Sequence, residues 1–190
     1  MKVGVLSLQG AFREHRETLD ALGVESVEVR APEHLAGVDA LILPGGESTT
    51  VSRLLRTSNL ESPVRDRIRD ATPTLGTCAG LILLSNSVLD GRDDQVALDA
   101  LDATVRRNAY GTQLASFEAP VEIPSIGTEP FPGVFIRAPV VERVGEAVTV
   151  LAELDGHPVL CRQGSVWAST FHPELSGDLR VHQAFLGDGP

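Results

Sequence analysis

Pro73-Thr74-Leu75-Gly76-Thr77-Cys78-Ala79-Gly80-Leu81-Ile82-Leu83-Leu84 runs from a short strand, through a turn of small residues, into an apolar helical stretch. A cysteine between paired glycines at a strand-to-helix turn matches the nucleophile elbow of α/β proteins, with cysteine in the serine position. Small neighbours permit a tight, strained turn that lifts the thiol out of the sheet, and the N-terminus of the following helix favours a thiolate. A structural alternative stands beside this one, since free cysteine also serves as a small buried hydrophobe.

The flanking sequence extends the same pattern. Val3, Val5 and Leu6 form a short apolar run, and Phe12, His15, Leu19 and Leu22 follow at helical spacing. Residues 24–29 alternate like a strand, and Ala40-Leu41-Ile42-Leu43 is a continuous apolar run that stops at Pro44-Gly45-Gly46, as a buried parallel strand does. Ser48 or Thr49 is expected to cap a helix carrying Val51, Leu54 and Leu55, and Val64 and Ile68 mark the next. This alternation predicts a three-layer α/β/α fold with a mostly parallel central sheet. In the second half, residues 117–123, 133–136, 148–154, 158–162 and 166–171 read as strands, so antiparallel additions to that sheet are expected. A helix-like segment at 179–186 closes the chain shortly before Pro190. One domain spanning residues 1–190 is expected, with no internal repeat or linker.

The formal net charge of −10 disfavours nucleic acid and anionic lipid surfaces. Lys2 opens a strand-like run rather than a signal peptide, and no apolar stretch approaches the roughly 20 residues of a membrane span, so a cytoplasmic protein is expected. Cys78 and Cys161 lie in unrelated contexts and read as free thiols, Cys161 as packing.

Phe171-His172-Pro173-Glu174 follows the strand-like Val166-Trp167-Ala168-Ser169-Thr170. In an extended segment, residues two apart project to the same side, so the Glu174 carboxylate could orient the His172 imidazole and stabilise its protonated form. A strand-end histidine beside a solvated glutamate is the bland reading of an isolated H-x-E. The cysteine elbow makes a base and its orienter the better one. Pro44-Gly45-Gly46-Glu47-Ser48 ends a buried strand with two glycines, whose backbone N–H groups, together with that of Ala79, could form an oxyanion hole; single donors of this kind are worth about 3 kcal/mol. No nucleotide-binding glycine pattern is present, and no cofactor is expected. A metal held by Cys78, His172 and Glu174 is possible by ligand type but lacks the paired spacing of common zinc sites. His15, His34, His157 and His182 stand without partners at catalytic or ligand spacing, and structural or exposed roles are expected for them.

Together these residues resemble the class I, triad-type glutamine amidotransferases, which combine a G-x-C-x-G elbow, a P-G-G loop and a late H-P-E. Leu8-Gln9-Gly10-Ala11-Phe12-Arg13-Glu14-His15, PGGEST at 44–49, GTCAG at 76–80, Arg107-Asn108, Ser116-Phe117-Glu118, GVFIRAP at 133–139 and His172-Pro173-Glu174-Leu175 narrow the resemblance, over nearly the whole chain, to the glutaminase subunits of pyridoxal 5'-phosphate synthases. It implies a flavodoxin-like, amidotransferase fold, Cys78 as nucleophile, and His172 and Glu174 as its relay. It implies glutamine contacts at Gly46, Glu47, Ser48, Arg107, Ile136 and Arg137. It further implies a hetero-oligomer with a synthase subunit of the PdxS/SNZ type, docking near Gln9 and Gly10 and helping to order the oxyanion hole. Two departures lie at the periphery: an expanded loop at 90–95 and the end at Pro190. A glutaminase of another pathway, and a redox-sensing or DJ-1-like cysteine module, are the rival readings; the His172 and Glu174 pair argues against a sensor, which needs no ordered base.

Overall fold

The computed structural model of the protein describes residues 1–92, 94–107 and 116–187. Asp93 of the acidic loop, Asn108 of the Arg107-Asn108 pair and residues 188–190 lie outside the described residues.

The first apolar run forms β1 (Lys2–Leu6), followed by α1 (Phe12–Ala21) and β2 (Glu25–Val29). β3 (Ala40–Leu43) leads into α2 (Ser48–Thr57) and α3 (Glu61–Arg69), and β4 (Thr74–Thr77) into α4 (Ala79–Leu84). Then come β5 (Ser85–Leu89), β6 (Leu101–Arg106), β7 (Ser116–Val121), β8 (Phe131–Ile136) and β9 (Val140–Val144). β10 (Thr149–Leu154), β11 (His157–Gln163), β12 (Val166–Ser169) and α5 (Arg180–Gly187) complete the chain.

The central sheet has seven strands in the order β10-β11-β12-β4-β3-β1-β2. β12, β4, β3, β1 and β2 run parallel, and β10 and β11 add antiparallel strands at the β12 side. The expected mostly parallel sheet with antiparallel additions is therefore present. Side chains alternate across it: Val3, Val5, Ala40 and Ile42 pack with Leu19 of α1 and with Val181 and Phe185 of α5. Leu6, Leu41 and Leu43 pack on the other face with Val51 and Leu55 of α2, Val64 and Ile68 of α3, and Leu81 to Leu84 of α4. Both faces are apolar because both are covered, which is why these strands read as continuous hydrophobic runs.

Residues 117–123 and 133–136 do not extend this sheet. β7 and β8 form a separate two-stranded ribbon, because only one of its faces is apolar: Val121, Phe131 and Phe135 turn down onto the α1 and α5 side of the core. β5, β6 and β9 make a third sheet over the opposite face, which sequence reading did not anticipate; the polar Ser85-Asn86-Ser87 carries little strand signal. The α2 cap also differs. Glu47, rather than Ser48 or Thr49, is the N-cap, and its carboxylate accepts from the Thr49 and Thr50 N–H groups. A charged cap gains from the helix dipole where a hydroxyl gains only a hydrogen bond.

Candidate active site

Cys78 occupies the turn between β4 and α4 with φ 49° and ψ −100°, a left-handed conformation that costs a non-glycine residue about 1–3 kcal/mol. Close packing holds it there. A Cβ on Gly80 would collide with the Leu43 carbonyl oxygen, and one on Gly76 would come within 2.7 Å of the Gly80 carbonyl carbon. The two glycines of the elbow are required by this approach of α4 to β3 and β4. Cys78 N–H donates to the Ser169 carbonyl at 2.8 Å, which ties the turn to the end of β12.

The same strand end delivers His172. His172 N–H donates to the Val134 carbonyl at 2.8 Å, and His172 Nδ1 is 2.7 Å from Glu174 Oε1. The segment is not extended there, as the spacing argument supposed. Pro173 fixes φ and opens a 3-10 turn at Pro173–Leu175, so the two side chains meet across a tight turn instead of along a strand. Burial would lower the His172 pKa, but hydrogen bonds to Cys78 and Glu174 outweigh it and push the imidazole up to about 10. Burial would raise Glu174, yet the contact with His15 and the bond to His172 hold it below the usual carboxylate range. The arrangement favours an imidazolium between a sulfur and a carboxylate. Gly45 makes room for it, since a Cβ there would strike His172 Cε1 and lie 3.1 Å from Cys78 Cβ.

The thiol opens into a cleft of about 380 Å³. Gln9, Gly10, Gly46, Glu47, Ser48, Arg107, Ile136, Arg137, Cys78 and His172 all line it, so nearly every sequence-predicted residue is brought together. Glu174 is buried behind His172. Ala79 begins α4 directly after Cys78, and its N–H belongs to a first turn that has no intrahelical acceptor. Cys78 Sγ is 3.9 Å from the Ile136 carbonyl oxygen, and Arg137 beside it has φ 44°, a second strained residue on the cleft wall. Glu47, held at a pKa of about 2 by the Thr50 and Thr49 hydrogen bonds against the cost of burial, also faces Arg107 at 3.4 Å. Arg107 reaches Thr49 Oγ1 at 3.0 Å.

The Gln9 loop is fastened to the P-G-G loop. Gln9 Oε1 accepts from Glu47 N–H at 2.7 Å, and Ala11 N–H donates to the Gly45 carbonyl at 3.0 Å. Gly45 N–H in turn donates to Thr77 Oγ1 at 3.0 Å. Among the described residues no group of three or more His, Cys, Asp or Glu side chains is placed to hold a metal ion. Nor is any described helix long and apolar enough to cross a membrane.

Two further histidines pack behind Glu174. Of the four histidines expected to be structural or exposed, His34 and His157 are exposed, and His15 and His182 are buried and bonded to each other at 2.9 Å, with His15 Nε2 3.3 Å from Glu174 Oε2. His15 ends the Leu8–His15 segment quoted above, whereas His182 in α5 belongs to no quoted motif. The one available signal is His15 on the otherwise apolar face of an amphipathic helix.

The model of a family described as the SNO glutamine amidotransferase family matches residues 5–188. The chain is 53% identical over 187 residues to a pyridoxal 5'-phosphate synthase subunit PdxT of Roseiflexus sp. (strain RS-1), covering 98% of this chain and 99% of that one. It is 54% identical over 184 residues to the subunit of the same name in Mycobacteroides abscessus, covering 97% and 95%. A solved structure described as a glutamine amidotransferase superposes with a TM-score of 0.92 at 52% identity, covering 98% of this chain and 97% of that one.

Proposed function

The chain belongs to the SNO glutamine amidotransferase family, and from that premise we propose that Cys78 is the nucleophile of its glutaminase site, His172 the base and Glu174 the carboxylate that orients the base. The activity is hydrolysis of L-glutamine to L-glutamate and ammonia, with the ammonia delivered within a pyridoxal 5'-phosphate synthase. The observation that carries the triad is His172, whose Nδ1 lies 2.7 Å from a buried Glu174 and whose ring lines the same cleft as the Cys78 thiol.

His172 takes the proton of Cys78, the thiolate attacks the side-chain amide carbon of glutamine, and the oxyanion that forms takes hydrogen bonds from the N–H groups of Gly46 and Ala79. His172 gives its proton to the departing nitrogen, which leaves as ammonia, and a glutamyl thioester remains. His172 then takes a proton from water, hydroxide adds to the thioester, and glutamate leaves as the thiolate re-forms. Glutamine carries an α-carboxylate and an α-ammonium group. Arg107, which now faces Glu47, supplies the cation for the first. Gly46, Glu47, Ser48, Ile136 and Arg137 complete the contacts.

The recipient of the ammonia in this reading is a synthase subunit of the PdxS type, which joins it to a pentose phosphate and a triose phosphate in the cytoplasm. Docking at Gln9 and Gly10 acts on the oxyanion loop through the Gln9 bond to Glu47 and the Ala11 bond to Gly45. Two experiments test the proposal. Cys78→Ala should abolish glutaminase activity with the fold intact, and activity retained in a pure preparation ends the assignment. The tagged chain should retrieve the synthase subunit from its own cell extract; no retrieval, with glutaminase activity indifferent to added synthase, removes the partner.

A further inference from the structure

Behind the triad lies a buried polar pair that the mechanism above does not use. His15 of α1 and His182 of α5 are both 0% exposed, with His15 Nδ1 2.9 Å from His182 Nε2. The other nitrogen of His15, Nε2, is 3.2 Å from Thr77 Oγ1 and 3.3 Å from Glu174 Oε2. Glu174 Oε1 is held by His172, whereas Oε2 is buried without a hydrogen-bond partner, and so is His182 Nδ1.

Two tautomeric arrangements fit these distances. In one, His182 Nε2–H donates to His15 Nδ1, and the His15 proton sits on Nε2 facing the carboxylate. In the other, His15 Nδ1–H donates to His182 Nε2, and Thr77 O–H donates to a bare His15 Nε2. That second arrangement sets a nitrogen lone pair 3.3 Å from an anionic oxygen and leaves His182 Nδ1–H as a buried donor with no acceptor, a loss of about 1–3 kcal/mol. The first leaves unpaired only neutral groups, the Thr77 hydroxyl proton and the His182 Nδ1 lone pair, and gives the buried carboxylate a positive edge. Burial lowers the pKa of both rings, so both are neutral in neutral solution and the choice is between tautomers.

We propose that His15 is a positioning residue of the glutaminase site: its Nε2–H, fixed from behind by His182, holds the second oxygen of Glu174 so that the first stays on His172 Nδ1. The contact is electrostatic in the free protein, and it keeps the carboxylate from turning about its last bond. The inference rests on the triad reading and extends it to a line of five side chains, Cys78, His172, Glu174, His15 and His182.

The test uses the full chain in complex with its synthase subunit and follows glutamate formation. His15→Gln carries an amide N–H to the position of Nε2, whereas His15→Asn falls short of it. His15→Asn is expected to lower kcat about tenfold or more with KM changed by less than about twofold, and His15→Gln to restore most of it. On a Glu174→Gln background, His15→Asn should have no further effect, because its action runs through Glu174. Equal impairment of the two variants, a loss confined to KM, or the same fold-loss on the Glu174→Gln background overturns the proposal. His182→Leu leaves α1 intact and serves if the His15 variants do not fold. It should lower kcat about threefold or more, and unchanged kcat in the folded variant overturns the proposal equally. Cys78→Ala separates the two readings. Activity retained there removes the triad, whereas activity lost there with an indifferent His15→Asn removes only the role of His15.

Discussion

A side chain of one methyl group, added at either of two glycines, tests how the nucleophile is held. At Gly80 the new carbon meets the Leu43 carbonyl oxygen, part of β3 that cannot swing aside. Gly80→Ala is expected to cost about 2 kcal/mol or more of stability in urea denaturation. At Gly45 the carbon meets His172 Cε1, a side chain that can move, but only away from Cys78. Gly45→Ala should therefore keep the fold and lower kcat about 100-fold, and a wild-type kcat in the folded variant contradicts this account of the site. Both glycines, the cysteine and the H-P-E were legible in the sequence because each belongs to a contiguous motif. The pairing of His15 with His182 was not, since 167 residues separate them and only the packing of α1 and α5 brings them together.

Helix α2 shows how an element carries function on its first turn. Glu47 caps the helix with both carboxylate oxygens and also faces Arg107, so one side chain links a secondary-structure start to the substrate cleft. Glu47→Ala should cost about 1 kcal/mol of stability, read by urea denaturation. It should also raise the KM for glutamine, since Arg107 loses the group that faces it. The cap eluded sequence reading because Ser48 and Thr49 are better cap residues by type, and the choice fell to the geometry of the Gly45-Gly46 turn. The parallel strands were readable because both of their faces are buried. β5, β6 and β9 were not, because alternation over a short polar strand such as Ser85–Leu89 is indistinguishable from loop.

For the molecule as a whole, the His15 and His182 pair sets an acid limit. Burial pushes His182 down to about 3 and lowers His15, whereas in the unfolded chain both take up protons near pH 6.5. As pH falls below about 6.5, the unfolded chain binds more protons than the folded one, so stability falls, by up to about 1.4 kcal/mol per pH unit for each ring. Unfolding free energy in urea should be lower at pH about 5 than at about 7, and His182→Leu should flatten that slope; equal slopes contradict it. The order of strands carries a different consequence. β12, the final strand of the chain, is interior to the sheet, wedged between β4 and β11 with Ser169 paired to Thr77. A chain emerging from the ribosome therefore has Cys78 beside an open sheet edge, without His172 or Glu174, until residues 166–174 arrive. A chain truncated before residue 166 is therefore expected to consume no glutamine, which a glutaminase assay checks.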